Sequence, residues 1–477
     1  MKSSLITLLA ICLTAASGAA VGKAKESDNR VWLQPFPRWE PIPGSGDVGE
    51  RLILTPLIQK GQIDEARKLA EVKDLTDDPT VQAIKSYSGY LTVNETYNSN
   101  LFFWFFPAMN EPENSPVLLW LQGGPGVSSL FGLFTENGPY FINDDDKTLS
   151  LNPYSWTMNH SVIFFDQPVG TGFSFTDSDD GYATGQDQVG RDMHTALVQF
   201  FTMFPEYQKN SFYITGESYA GKYIPAVGYS IYKRNPDSEV KINLQGLAIG
   251  NGMTDPESMV TEYSSLMYEV GLIDENGKSF IHSQEQLCAQ AIHDGRWMDA
   301  FGYWESILND FISLSGYSFI YNIYYVDDPS TGGSVPDFVQ NERTRKAIHV
   351  GDTLYSYVGT VYSKLEPDIM KSVRPWVEEL LDSGLRIMFY NGNFDVSVGY
   401  PLSRGMFRKL QFNGADEYRM AKRQMWKVGE DLAGYYKTGG TFMEVMVRNA
   451  GHMVPTDQPV WALDLITRFS RNMSLSS

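Results

Sequence analysis

The sequence is poor in cysteine and histidine, short of positive charge, and without any long apolar run in its body. Of its two cysteines, Cys12 falls in an N-terminal stretch that reads as a removable leader. Its loss leaves Cys288 alone and excludes an intrachain disulfide. A chain of 477 residues buries an adequate core without such staples. Lys and Arg number 38 against 57 Asp and Glu, a net charge of −19 that disfavours nucleic acid and anionic membrane surfaces as partners. No stretch of about 18 apolar residues occurs, so no membrane span is expected. No metal and no cofactor are expected.

Residues 1–20 carry an early Lys2, an apolar run over 5–13 and a tail of small residues, the pattern of a secretory signal peptide. Sequons at Asn94, Asn159 and Asn472 are candidate glycosylation sites that suit this route. The expected destination is the secretory pathway, ending outside the cell or in the lysosome. Residues 21–84, broken by Pro35, Pro37, Pro41 and Pro43 and with one helix expected over 63–72, read as a propeptide or as an arm lying on the core.

Beyond this arm, apolar runs predict strands at 87–93, 101–106, 116–121, 162–165, 211–215, 242–249, 385–390 and 442–447. Helical spacing recurs between them, as at 189–204 and 460–469. Strand and helix in alternation imply a mostly parallel sheet with helices on both faces, built from residues 85–253 and 341–477. Between them, 254–340 shows helical patterns at 259–270, 276–293 and 297–314, and reads as an inserted, mainly helical cap.

The chemistry gathers where strands end. In Gly216-Glu217-Ser218-Tyr219-Ala220-Gly221, Ser218 stands at a turn between a strand and a helix with small residues around it, the arrangement of a nucleophile elbow. Upstream, Gln122-Gly123-Gly124-Pro125-Gly126 follows a strand, and such glycines let backbone N–H groups approach a developing oxyanion. An α/β-hydrolase fold brings its triad in the order serine, acid, histidine. Of the four histidines after Ser218, His282 and His293 fall in the insert and His349 reads as a surface or helix-end residue. Only His452 sits between a strand and a helix in the required place. Asp395, in the loop after the preceding strand, is the acid, against the plainer reading of a turn aspartate.

Taken together, Trp120 to Gly126, Glu136-Asn137-Gly138-Pro139, Asp166 to Ser174, Gly216 to Tyr223 and Gly451-His452-Met453-Val454-Pro455 resemble the serine carboxypeptidases, more narrowly the vitellogenic carboxypeptidase-like branch. The resemblance covers roughly residues 85 to 470. It implies an exopeptidase with an acidic optimum that removes the last residue of a peptide through an acyl-enzyme, with Ser218 as nucleophile, His452 as general base and acid, and Asp395 as orienting acid. By the same resemblance, the Gly124 and Tyr219 N–H groups stabilise the oxyanion, and Gln122, Gly123, Glu136 and Glu217 bind the substrate's free carboxylate. Two adjacent carboxyls cannot both ionise cheaply, so one keeps a proton that it can donate to that carboxylate.

The chain departs from the family's pattern at Gln122, where asparagine is common, at Val127, where cysteine is frequent, and at Asn393, where aspartate is frequent. Its partners are expected to be peptides or proteins with a free C-terminus, and a homodimer stays open. A catalytically weak relative that serves as a binding or storage protein is the alternative. An esterase of the same fold is disfavoured by the two glutamates.

Overall fold

The computed structural model describes residues 46–330, 332–356 and 359–476. The leader over 1–20, Cys12 and the prolines at 35–43 lie outside the described residues.

Twelve strands follow in chain order: β1 Tyr87–Asn94, β2 Ser99–Phe106, β3 Val117–Leu121, β4 Tyr140–Ile142, β5 Leu149–Leu151, β6 Ser161–Phe165, β7 Phe212–Glu217, β8 Leu244–Gly250, β9 Arg386–Gly392, β10 Gln424–Val428, β11 Asp431–Gly439 and β12 Phe442–Val447. Ten of them form one sheet in the order β1-β2-β6-β3-β7-β8-β9-β12-β11-β10, and β4 pairs with β5 in a small separate hairpin. From β6 to β12 neighbouring strands run parallel. Antiparallel pairs close both sides, β1 with β2 and β2 with β6 on one, β12 with β11 and β11 with β10 on the other.

Every residue of β3 and β6 is buried, as expected of central parallel strands covered on both faces. The pleat of β7 shows how. The Phe212 ring meets Phe201 of the helix Gln186–Met203, and its neighbour Tyr213 meets Phe469 of the helix Pro459–Ser470 on the opposite face. The helix Ala220–Arg234 packs beside Gln186–Met203 on the first face. This is the α/β-hydrolase architecture.

From residue 46 onward the N-terminal arm lies on the core. Its helix Ile63–Ala70 ends near the expected place, Leu54, Ala66 and Ala70 are buried, and a bridge between Ile53 and Tyr90 covers the edge at β1.

Between β8 and β9 the chain leaves the sheet from 251 to 385. Two long helices, Glu275–His293 and Trp297–Ser315, pack against each other, with the buried Cys288 thiol donating to the carbonyl of Ala300 at 3.2 Å. The segment beyond 340 does not return at once to the sheet. After the short helix Glu342–Ala347, Ser356 pairs with Gly172, and only after the helices Gly359–Ile369 and Arg374–Asp382 does β9 begin. Among the described residues of 341–385 none belongs to a sheet strand, so there the departure from the sheet is longer than the expected 254–340.

Candidate active site

The carboxyl ends of β3, β7, β8, β9 and β12 converge on one cavity. β7 ends at Glu217, a helix begins at Ala220, and Ser218 between them has φ +63°, a left-handed backbone that turns the chain sharply out of the sheet. Its amide donates to the carbonyl of Gly250 at 3.0 Å, and its own carbonyl accepts from Met253 at 3.0 Å, so β8 pins the turn from both sides. The turn needs small neighbours. A Cβ on Gly216 would come within 2.1 Å of the Leu121 carbonyl oxygen, and one on Gly123 within 2.6 Å of the Ser218 Cβ and 2.7 Å of the Tyr219 nitrogen.

That close approach brings the glycine loop after β3 against the elbow. Neither the Gly124 nor the Tyr219 N–H donates a hydrogen bond to protein among the described residues. Two free amides on adjacent loops are suited to an anionic oxygen.

Asp395 and His452 meet from the loops after β9 and β12: His452 Nδ1 lies 2.7 Å from Asp395 Oδ2. The same carboxylate oxygen accepts from Asn251 Nδ2 at 2.7 Å and from the Val398 amide at 3.2 Å. His452 Nε2 is buried and has no partner among the described residues, and the imidazole lines the cavity together with Ser218. The ring rests on Tyr321, 5.0 Å between centroids, and the His452 amide donates to the Tyr321 carbonyl at 2.7 Å.

Glu136 and Glu217 also come together. Trp120 Nε1 donates to Gln122 Oε1 at 2.8 Å, which fixes the amide so that its Nε2 donates to Glu136 Oε1 at 3.1 Å and to Glu217 Oε1 at 2.9 Å. Both carboxyls are buried, 2% and 1% exposed, and the second oxygen of each, Glu136 Oε2 and Glu217 Oε2, has no hydrogen-bond partner among the described residues. Burial raises Glu136 above the usual carboxyl range, and burial together with the charge of Glu136 raises Glu217. Gln122 thus holds both glutamates and also lines the cavity.

The cavity is about 750 Å³, its open mouth included, and the insert supplies much of its wall. Met253, Trp304, Tyr321 and Ile369 come from the segment 251–385, and Phe131 and Met453 complete an apolar lining. Among the described residues no cluster of His, Cys, Asp and Glu could hold a metal ion, and no helix is long and apolar enough to cross a membrane.

The remaining expected residues lie elsewhere. His282 sits in the helix Glu275–His293 beside Glu285 at 2.9 Å, and His293 closes that helix. His349 follows the helix Glu342–Ala347 and bonds Ser88 at 2.9 Å, more enclosed than a surface residue, with burial lowering it to about 4. Asn94 and Asn159 are half-buried and Asn472 is exposed. Sequence reasoning missed Asn251, whose only signal is its place directly after β8, beside the elbow strand. It also missed Asp457 and Asn322, described below.

Comparison with known proteins gives the family. A profile of the serine carboxypeptidase family, Peptidase S10, matches residues 77–472. Venom serine carboxypeptidase of Apis mellifera is 46% identical over 450 residues, covering 92% of this chain and 95% of its own. Vitellogenic carboxypeptidase of Aedes aegypti is 45% identical over 440 residues, covering 89% and 91%. Among solved structures, Kex1(delta)p, a prohormone-processing carboxypeptidase from Saccharomyces cerevisiae, superposes with a TM-score of 0.75 at 26% identity, covering 85% of this chain and 96% of its own. With a family profile over most of its length and relatives this similar, the chain belongs to the serine carboxypeptidases, hydrolases that act on peptides.

Proposed function

We propose that the protein releases C-terminal amino acids from peptides through an acyl-enzyme on Ser218, and that it does so best at acidic pH. The observation that carries this reading is the buried Glu136 and Glu217 pair, bridged by Gln122 immediately beside the elbow serine. A peptide with a free carboxylate fits there when the pair holds its proton. The carboxylate accepts that proton's hydrogen bond and one from the Gly123 N–H, while Gln122 holds the two glutamates in place.

With the scissile carbonyl over Ser218, His452 Nε2 takes the Oγ proton as Oγ bonds to the carbonyl carbon. The oxygen becomes negative and receives the N–H groups of Gly124 and Tyr219. Asp395 Oδ2 accepts from Nδ1–H and stabilises the imidazolium. His452 then gives its proton to the amide nitrogen, the C–N bond breaks, and the terminal amino acid leaves. Water, deprotonated by His452, attacks the ester carbonyl; the C–O bond to Ser218 breaks and Oγ recovers the proton.

The pH dependence follows from the sign of the shifts. Both glutamates are raised, so the shared proton is present at acidic pH and lost as pH rises towards neutrality. Two buried charges then face a third on the substrate, and binding weakens.

Passage through the secretory pathway belongs to the same reading, with Asn94, Asn159 and Asn472 as glycan acceptors. An esterase has no use for a proton-sharing carboxyl pair at its nucleophile, and a silent binding protein has no need of a free His452 Nε2 and two free amides. Labelling with a fluorophosphonate tests the nucleophile. The adduct should map to the peptide containing Ser218 and vanish in Ser218→Ala; an unlabelled wild-type protein that is folded contradicts the reading.

A further inference from the structure

The loop that carries His452 is held by a carboxylate with no part in the bond chemistry. Asp457, half-buried at the end of the short helix Val454–Asp457, accepts from the Gly451 amide at 2.7 Å and from Asn322 Nδ2 at 3.0 Å, both on Oδ2. Gly451 is the residue before His452, and Asn322 belongs to the segment that leaves the sheet between β8 and β9. That segment is threaded between the two loops of the site. Ile320 accepts from the amides of Val396 and Ser397, Tyr321 accepts from the His452 amide, and the Ile323 amide donates to Phe394. The fit leaves no slack, since a Cβ on Gly451 would lie 2.3 Å from the Tyr321 carbonyl oxygen and 2.6 Å from the Asn322 Cβ.

We propose that Asp457 is the positioning residue for His452: it locks the histidine loop to the threaded segment through Gly451 and Asn322, and its charge sets how readily the nearby carboxyl pair gives up its proton. The inference rests on the function proposed above. Thr456 donates its hydroxyl to the Thr135 carbonyl at 3.0 Å, which sets the turn carrying Asp457 against the segment carrying Glu136. The ionisable groups that interact with Asp457 are His452 on its own loop, Asp395 from the loop after β9 and Glu136 from the segment before β4, while the threaded segment presents the neutral Asn322. Its negative charge makes ionising Glu136 more costly. Burial raises the Asp457 carboxyl itself above the usual carboxylate range.

Two substitutions separate position from charge. Asp457→Asn keeps one oxygen of the same size for both donors but removes the charge, so Glu136 and Glu217 should ionise more easily. The alkaline limb of kcat/KM should move to lower pH by on the order of half a unit. Asp457→Ala removes the acceptor as well. At about pH 5, where the carboxyl pair keeps its proton, it should lower kcat about tenfold with KM nearly unchanged, because the histidine is displaced while the carboxylate site is not. Circular dichroism and melting check that the alanine variant is folded, and the asparagine variant decides the matter if it is not. An Asp457→Asn limb at the wild-type position, or a folded Asp457→Ala with wild-type kcat, overturns the inference. Absence of Ser218-dependent activity in the wild type would overturn the proposed function, a separate result read before the variants are compared.

Discussion

At the scale of single residues, the account rests on Ser218 and on the glutamates beside it. Ser218→Ala should reduce kcat/KM for peptide release by on the order of 10⁴-fold or more, since the residual rate comes only from binding and the oxyanion amides. Glu217→Gln replaces one carboxyl by a neutral amide that still donates a hydrogen bond, and with one charge gone there is no proton left to lose through mutual repulsion. The rise of KM between pH 5 and pH 7.5 should therefore flatten in this variant; a KM that climbs as steeply as in the wild type contradicts the shared proton. Ser218, Glu217 and His452 were legible because each sits in a motif at a strand end, as Ser218 does between β7 and its helix and His452 does after β12, whereas Glu136, at the end of the helix Leu130–Thr135, was named through the family resemblance. Asn251 and Asp457 were not. Asn251 reaches Asp395 from a neighbouring strand and Asp457 reaches Gly451 by the turn of a short helix, and neither relation leaves a spacing that marks a role in the chain alone.

At the scale of elements, the helix that starts at the elbow is joined to the insert by a buried ion pair. Lys222, fully enclosed, lies 2.9 Å from Asp368 Oδ2, and that oxygen also accepts from the Tyr219 hydroxyl at 3.0 Å and from Gln186 at 2.7 Å. Burial lowers Lys222 to about 8 even with the carboxylate beside it. Replacing Asp368 by Asn leaves a buried ammonium unpaired, which should cost about 3–5 kcal/mol of stability in denaturant unfolding. Loss of less than about 1 kcal/mol would show that the pair does not tie the helix Gly359–Ile369 to the nucleophile's helix. Central strands were readable from their apolar runs, β12 to the residue, because both faces are covered. The hairpin of β10 and β11 escaped notice because Gln424, Met425 and Lys427 are exposed and break the apolar pattern. The path of 316–385 was unreadable for a further reason: Ile320, Tyr321 and Ile323 dock through backbone hydrogen bonds, which any side chain permits.

At the scale of the whole molecule, buried titratable groups favour mild acidity. Glu136 and Glu217 are raised, Asp166 is raised to about 7 and Asp192 to about 6, all chiefly by burial. Each folds more favourably when protonated, so its contribution is complete below the unfolded carboxyl range and is lost as pH rises through the raised value. His160 and His349, both lowered to about 4 by burial, act the other way and cost stability as pH falls below about 6.5. With the carboxyls in the majority, the melting temperature should be higher at pH 5.5 than at pH 8; the reverse order would mean that these carboxyls are ionised in the folded protein. Folding and substrate binding thus draw on the same protonated glutamates. The central claim is tested most directly by release of the terminal residue from a blocked dipeptide, as the free acid and as the amide, from pH 4 to 8, with the wild type and Ser218→Ala. The account predicts Ser218-dependent release that declines towards neutral pH and favours the free acid by at least about 100-fold. Equal cleavage of acid and amide, or no release by folded wild-type protein at any pH, would contradict it.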